Sequence, residues 1–353
     1  MSSSAPQRQF DLAELDTYMA AFLTGDAAGA VHRSLLSGGL SQMTVVYRTG
    51  ERDADRTVVV RVPPEVGPLE PYEPVVEATL LEAMAELGVP VPRVVLVEAD
   101  REHVGRAFYA TDFISATMTA EADLSDPEEA RTVAGAFLDL LVSVHEAPVD
   151  AMTVRGTLHD ILGHIPAKTP LGVLDRWDAV LERTDIAVPA YHAFLSRWLR
   201  ARCPDAAGQE VVVHGDFRLA NVLWNDQPGS VAAMMDWEEA GLGDPMYDLA
   251  WLLMGSFADD DKVFGLATRR EFIDGYAERT GRPVDPLRLL WWEVATGWSL
   301  LAMNGRATGL VAEGSYHDLR PMLYGYMNRR IAHTLLRKVT AHEDLLASAP
   351  LMS

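Results

Sequence analysis

The chain has 353 residues, 48% hydrophobic and 23% charged, with a formal net charge of −21 at pH 7. That length holds one large domain or two smaller ones with ordinary globular cores, and the acidic balance argues against nucleic acid or an anionic membrane as partner, since both need basic patches. Cys203 is the one cysteine, which excludes an intrachain disulfide and a cysteine metal cluster. The charge is compatible with a cationic substrate. Residues Met1 to Pro6 lack the basic and apolar regions of a signal peptide, and no run of about 18 uncharged apolar residues occurs. The expected location is therefore the cytoplasm.

Leu12, Leu15, Tyr18, Met19 and Phe22 recur at helical spacing, which predicts an amphipathic helix over residues 10–23. Three strands are expected at 31–36, 44–48 and 57–62, with a polar turn at 50–55 and Pro63-Pro64 as the stop. A helix over 73–87 ends at Gly88, and strands at 93–98 and 106–114 complete a small sheet. From Asp126 the pattern turns helical, with Asp126 as N-cap and Pro127 at the first helical position. Further helices are expected at 126–145, 191–200, 268–279, 286–303 and 320–345, and another begins at Asp244-Pro245. Trp291, Trp292 and Trp298 have spacings that suit core packing. The order describes an α+β chain: a strand-rich unit over 1–114 and a mainly helical unit over 115–353.

The densest chemistry lies in His214-Gly215-Asp216-Phe217-Arg218-Leu219-Ala220-Asn221 and in Asp236-Trp237-Glu238. Val211 to Val213 runs in as a short strand. Strands at 222–224 and 231–235 flank the turn formers Asn225 to Ser230. Paired as a hairpin, they return Asp236 to the side of Asn221, with Asp216 on the loop before. Two oxygen ligands for a hard cation then converge with a nearby carboxylate, a combination suited to phosphoryl transfer.

This pattern of His-Gly-Asp, four residues, Asn, a hairpin and Asp resembles the catalytic segment of the aminoglycoside phosphotransferase-like kinases. Gly241-Leu242-Gly243-Asp244-Pro245-Met246-Tyr247-Asp248-Leu249-Ala250 resembles that family's Gly-Asp-Pro, two residues, Asp-Leu-Ala segment, and Ser37-Gly38-Gly39-Leu40-Ser41-Gln42 resembles its nucleotide loop, where Asn often stands in place of Gln42. In character the chain is closest to the kinase domains associated with acyl-CoA dehydrogenases. The resemblance implies a two-lobed, protein-kinase-like fold, with a nucleotide-binding lobe to residue 114 and a catalytic and substrate lobe beyond it. It implies Asp216 as catalytic base, Arg218 beside the transferring phosphoryl group, and Asn221 and Asp236 as ligands to Mg²⁺. Gly38, Gly39 and Ser41 would cradle the phosphates of ATP or GTP, and backbone groups of Asp112, Phe113 and Ile114 would take the base. The usual phosphate-anchoring Lys is replaced by Arg61, with Glu77 as its expected partner; the three lysines, Lys168, Lys262 and Lys338, all lie outside the first lobe. His214, Asp244, Asp248 and His145 are implied to be structural, and Glu238 to stand near the metal.

The implied reaction is phosphate transfer to a hydroxyl on an aminoglycoside, amino alcohol, sugar or hydroxyacyl thioester. A different class of protein, a catalytically silent nucleotide-binding module acting through a partner, draws on the missing Lys. A metal-dependent phosphohydrolase would have to be built on His145, His159, Asp160 and His164. A protein kinase would need an Asp-Phe-Gly and an Ala-Pro-Glu, which the chain lacks.

Overall fold

A computed structural model describes residues 10–36, 42–50, 56–117, 124–184, 189–205, 210–254, 262–316 and 319–348. Helix α1 (Leu12–Thr24) starts at Asp11, whose carboxylate accepts the Ala13 amide at 2.8 Å. Strands β1 (His32–Leu36), β2 (Met43–Arg48) and β3 (Thr57–Val62) follow, then α2 (Pro74–Glu86), β4 (Val94–Glu98) and β5 (Phe108–Asp112). The five strands form one antiparallel sheet in the order β1-β2-β3-β5-β4.

Alternation along β3 sorts its side chains between the two faces. Val58, Val60 and Val62 are buried in a cluster with Leu15 and Met19 of α1. Val59 and Arg61 therefore point the other way, and register sets Arg61 across from Thr44 on β2 and Tyr109 on β5. Helix α2 packs on β4 and β5, and its Leu80, Leu81 and Met84 share the main core with Tyr109.

The helical part comprises α3 (Pro127–His145), α4 (Leu158–Leu162), α5 (Pro170–Glu182), α6 (Ala190–Ala201), α7 (Met246–Leu253), α8 (Arg269–Thr280), α9 (Pro286–Ala312) and α10 (Arg320–Ser348). Helix α3 opens as expected, with the Asp126 side chain accepting the Glu128 amide and Pro127 in the first turn. Helix α9 runs past the expected end at 303, through Gly305 and Gly309, because α10 packs along it. Tertiary packing there outweighs the cost of about 1 kcal/mol for each helical glycine. Helices α4 and α5 fall where no element was predicted, although Thr169 caps α5 and Pro170 follows it. No helix among the described residues is long and apolar enough to cross a membrane.

Short strand pairs build the floor of the site. Strand β6 (Val211–Val213) pairs with β9 (Gly241–Gly243), and β7 (Val222–Trp224) with β8 (Val231–Met234). A third pair joins β10 (Lys262–Val263) to β11 (Ala267–Thr268). The pairing of β7 and β8 is the expected hairpin. Strand β9 was not expected, because Gly-Leu-Gly carries no alternating pattern. Its glycines serve close approach instead: a Cβ on Gly243 would lie 2.5 Å from the Lys168 carbonyl oxygen.

Trp291, Trp292 and Trp298 are at most 1% exposed, so they are core residues as their spacing suggested. Trp298→Ala should lower the unfolding free energy by about 3–5 kcal/mol, measured by urea titration. A loss below about 1 kcal/mol would contradict this packing.

Candidate active site

Strand β6 delivers His214 and the loop behind it. Gly215 adopts φ 90°, and a Cβ there would meet the Glu239 carbonyl oxygen at 2.2 Å, so a glycine is required for both reasons. Asp248 of α7, fully buried, holds this loop: its Oδ2 accepts the His214 amide at 2.7 Å and its Oδ1 the Gly215 amide at 2.9 Å. His145 of α3 lies behind it, with Nε2 3.3 Å from Asp248 Oδ2 and Nδ1 2.9 Å from the Tyr276 hydroxyl of α8. The His214 ring bridges the Met235 carbonyl oxygen (2.8 Å) and the Asp216 amide (3.2 Å). Burial lowers its pKa, so the imidazole is neutral: Nε2–H donates and Nδ1 accepts.

Asp216 follows, with Oδ2 2.8 Å from Asn221 Nδ2 and 2.9 Å from Arg218 Nε. Burial raises its pKa to about 7 against the pull of Arg218. The Asn221 amide nitrogen also donates to the Asp216 carbonyl oxygen, which leaves Asn221 Oδ1 available as an oxygen ligand. The hairpin brings the Met235 amide to the Asn221 carbonyl at 2.8 Å, so Asp236 stands beside Asn221. Asp236 has φ 68°, a left-handed conformation that aspartate tolerates better than most residues.

The Arg61–Glu77 pair expected from the kinase pattern is replaced by another. Arg61 Nη2 lies 2.5 Å from Asp236 Oδ1. Burial opposes ionisation of Asp236, but the guanidinium outweighs it and holds that carboxyl below its usual range. Glu77 instead accepts from Gln42 Nε2 at 3.1 Å, and the same nitrogen reaches Glu238 Oε2 at 2.8 Å. Gln42 stands where the family often has Asn. Its extra methylene spans from the strand-rich part of the chain to the segment after Asp236. Gly38, Gly39 and Ser41 lie outside the described residues.

At the expected hinge, Asp112, Phe113 and Ile114 line the cleft. The Asp112 carboxylate is turned to Arg93 at 2.6 Å, and the Phe113 amide bonds the Thr57 carbonyl.

A buried trio escaped the sequence reading. Glu239 accepts from Lys168 Nζ at 2.9 Å and from both Nη atoms of Arg176. Burial opposes its ionisation, but the two cations hold its pKa at about 2, while burial lowers that of Lys168 to about 8. The available signal was the scarcity of lysine: one of three stands directly before a Thr-Pro helix start. The histidines of the phosphohydrolase reading do not converge. His145 is sealed beside Asp248, whereas His159 is surface-exposed with Asp150 and Glu210 as partners. Asp160 closes a capping box with Thr157.

Arg61, Asp216, Arg218, Asn221, Asp236 and Glu239 line a cleft of about 1160 Å³. Val59, Arg61, Thr111 and Phe113 form one wall, and Asp216, Asn221 and Asp236 the floor. The far end is apolar, with Trp251, Met254, Leu300, Met303 and Ile331, joined by Asn304 and Arg320. Asn221 Oδ1 and Asp236 are hard oxygen donors, and two protein ligands suit Mg²⁺, which takes its other ligands from phosphates and water.

A five-stranded lobe against a helical lobe, with this floor, is the fold of the kinase-like phosphotransferases. The family model described as the phosphotransferase enzyme family (APH) matches residues 32–292, and the chain belongs to that family. It is 27% identical over 327 residues to acyl-CoA dehydrogenase family member 11 of Homo sapiens, covering 86% of this chain but 40% of that protein. The chain thus spans well under half the length of such relatives. Its fold matches a Ralstonia eutropha protein assigned to the aminoglycoside phosphotransferases, with TM-score 0.70, 21% identity, and 94% and 99% of the two chains covered. It also matches aminoglycoside phosphotransferase APH(4)-Ia in complex with ADP and hygromycin B, with TM-score 0.58, 18% identity, and 92% and 98% covered.

The raised pKa of Asp216 has a consequence for stability. The folded chain keeps that proton up to about pH 7, whereas an unfolded aspartate releases it near ~4. The folded state therefore binds more protons between those values, and stability falls as pH rises through them. Asp216→Asn should be more stable than the parent at pH 8, with the gap closing toward pH 4 in urea titrations. Equal stability at pH 8 would contradict the burial argument.

Proposed function

We propose that the chain transfers the terminal phosphate of ATP or GTP to the hydroxyl of a small acceptor, with residues 1–114 as nucleotide lobe and 115–353 as catalytic and acceptor lobe. The observation that carries this reading is the grouping of Asp216, Asn221 and Asp236 on the floor of one cleft, facing Arg61. Asp216 accepts the hydroxyl proton as the acceptor oxygen bonds to the terminal phosphorus and the bond to the leaving diphosphate breaks. Arg218, beside Asp216, offsets charge on the transferring group. Asn221 Oδ1 and Asp236 would hold Mg²⁺, whose charge would offset that of the phosphates. Gly38, Gly39, Ser41 and Arg61 hold the phosphates, and the backbone of Asp112, Phe113 and Ile114 takes the base. Glu77, bonded to Gln42, adds a negative charge beside Arg61.

The far end of the cleft favours an acceptor with an apolar body. Among its described residues from Trp251 onward there is no carboxylate to meet a polycation, and the one charged side chain is Arg320. Of the candidate acceptors, a hydroxyacyl thioester fits this lining better than an aminoglycoside, despite the acidic balance of the whole chain. The silent-module reading is disfavoured by the retention of Asp216, Asn221 and Asp236 along one cleft.

Thermal unfolding with ATP or GTP should show a Mg²⁺-dependent rise in Tm, and nucleotide turnover should then respond to hydroxyacyl thioesters. Asp216→Ala should reduce turnover at least ~100-fold while keeping nucleotide affinity, whereas Asp236→Ala should weaken Mg²⁺-nucleotide binding itself. Full turnover in Asp216→Ala would overturn the assignment of the base.

A further inference from the structure

Arg61 and Asp236 come from opposite sides of the cleft, 175 positions apart, and meet at 2.5 Å. The contact joins the residue proposed to hold the phosphates to the residue proposed to hold the cation. It is partly shielded, with side-chain exposures of 13% and 25%. Beyond Asp236, Arg61 faces Glu77, Glu238 and the Tyr109 hydroxyl. Glu77 and Glu238 are themselves bonded by Gln42. The carboxylates around the cation position are thus answered by N–H donors of the chain itself. Arg61 Nε, by contrast, is buried without a hydrogen-bond partner. A buried N–H lacking an acceptor is costly, and a phosphate oxygen is the kind of acceptor that would relieve it.

We infer that Arg61 is an internal counter-cation for Asp236, so that a divalent cation and a nucleotide bind as a coupled pair rather than independently. The inference rests on the nucleotide and metal roles proposed above. A hydrated cation arriving alone must share the Asp236 carboxylate with a guanidinium already on Oδ1, like charge against like. Phosphates arriving alone draw Arg61 away and strand the Asp236 carboxylate beside them, like charge against like. Together they exchange one ion pair for two. The phosphates would take Arg61, and Asp236 would be left to hold the cation. Linkage makes the effect reciprocal: the factor by which nucleotide tightens the cation equals the factor by which the cation tightens nucleotide.

The test is Mn²⁺ binding, followed by electron paramagnetic resonance on the full chain, with and without a non-hydrolysable ATP analogue. Arg61→Met should bind Mn²⁺ without nucleotide about tenfold more tightly than the parent, and the coupling between Mn²⁺ and the analogue should shrink by a similar factor. Its Tm should rise with Mn²⁺ alone, where the parent's does not. Arg61→Gln, which keeps a polar group in the same space, stands in if the methionine variant does not fold, with the same expected direction. Unchanged or weaker Mn²⁺ binding in these variants overturns the counter-cation role. Asp236→Asn separates this outcome from failure of the site itself. If that variant binds Mn²⁺ with the analogue as well as the parent does, the metal assignment falls. If Asp236 is needed but Arg61→Met gains nothing, the metal assignment stands and the coupling inference falls.

Discussion

The sealed carboxylate of Asp248 accepts two consecutive backbone amides, from His214 and Gly215, and so fixes the direction in which the chain leaves β6. Hydrogen bonds to a charged acceptor in a buried setting are among the stronger ones a protein makes. Losing that acceptor would strand two N–H groups in the interior. The other features follow from this anchor. The loop turns at Gly215 with a positive φ, passes close over Glu239, and presents Asp216 to the cleft. His145 and Tyr276 extend the anchor to α3 and α8, so the loop is referenced to the helical core rather than to the sheet.

The cleft concentrates acids in a chain already short of cations. Asp216, Asp236, Glu238, Glu239 and Glu77 all line it. Each is met by a donor: Arg218 for Asp216, Arg61 for Asp236, Lys168 and Arg176 for Glu239, and Gln42 shared between Glu77 and Glu238. How well each donor offsets burial decides the outcome. Glu239, with two buried cations, stays ionised far down the pH scale. Asp216 has one cation that is half in solvent, and burial prevails, leaving its carboxyl poised to exchange a proton near neutrality. Two neighbouring acids thus acquire opposite tendencies, one fixed and structural, the other reactive.

Much of this was legible in the sequence because it is local. Alternation along Thr57 to Val62 sets the side of the sheet on which Arg61 emerges, and the turn formers from Asn225 to Ser230 fold Asp236 back to Asn221. Asp126 announces its helix. What could not be read depends on encounters between distant segments. The kinase pattern pointed to Glu77 as the partner of Arg61, and only the closeness of the lobes puts Asp236 in that place. Gln42 gives no hint of a second acceptor 196 positions away. Strand β9 has no side-chain pattern, since its glycines are there to let Lys168 approach. Helix α5 carried a visible cap, but the segment before it mixes polar and apolar residues without a clear period.

All eight tryptophans lie from Trp177 onward, so the strand-rich lobe has none. Trp237 directly follows Asp236 and borders the cleft, where Trp177 and Trp251 also stand. Intrinsic fluorescence is therefore blind to the lobe that carries Arg61 and weighted toward the one that carries Asp236. A ligand that alters the cleft floor acts on an indole already in place. A tryptophan placed in the sheet would be needed before emission could report both lobes.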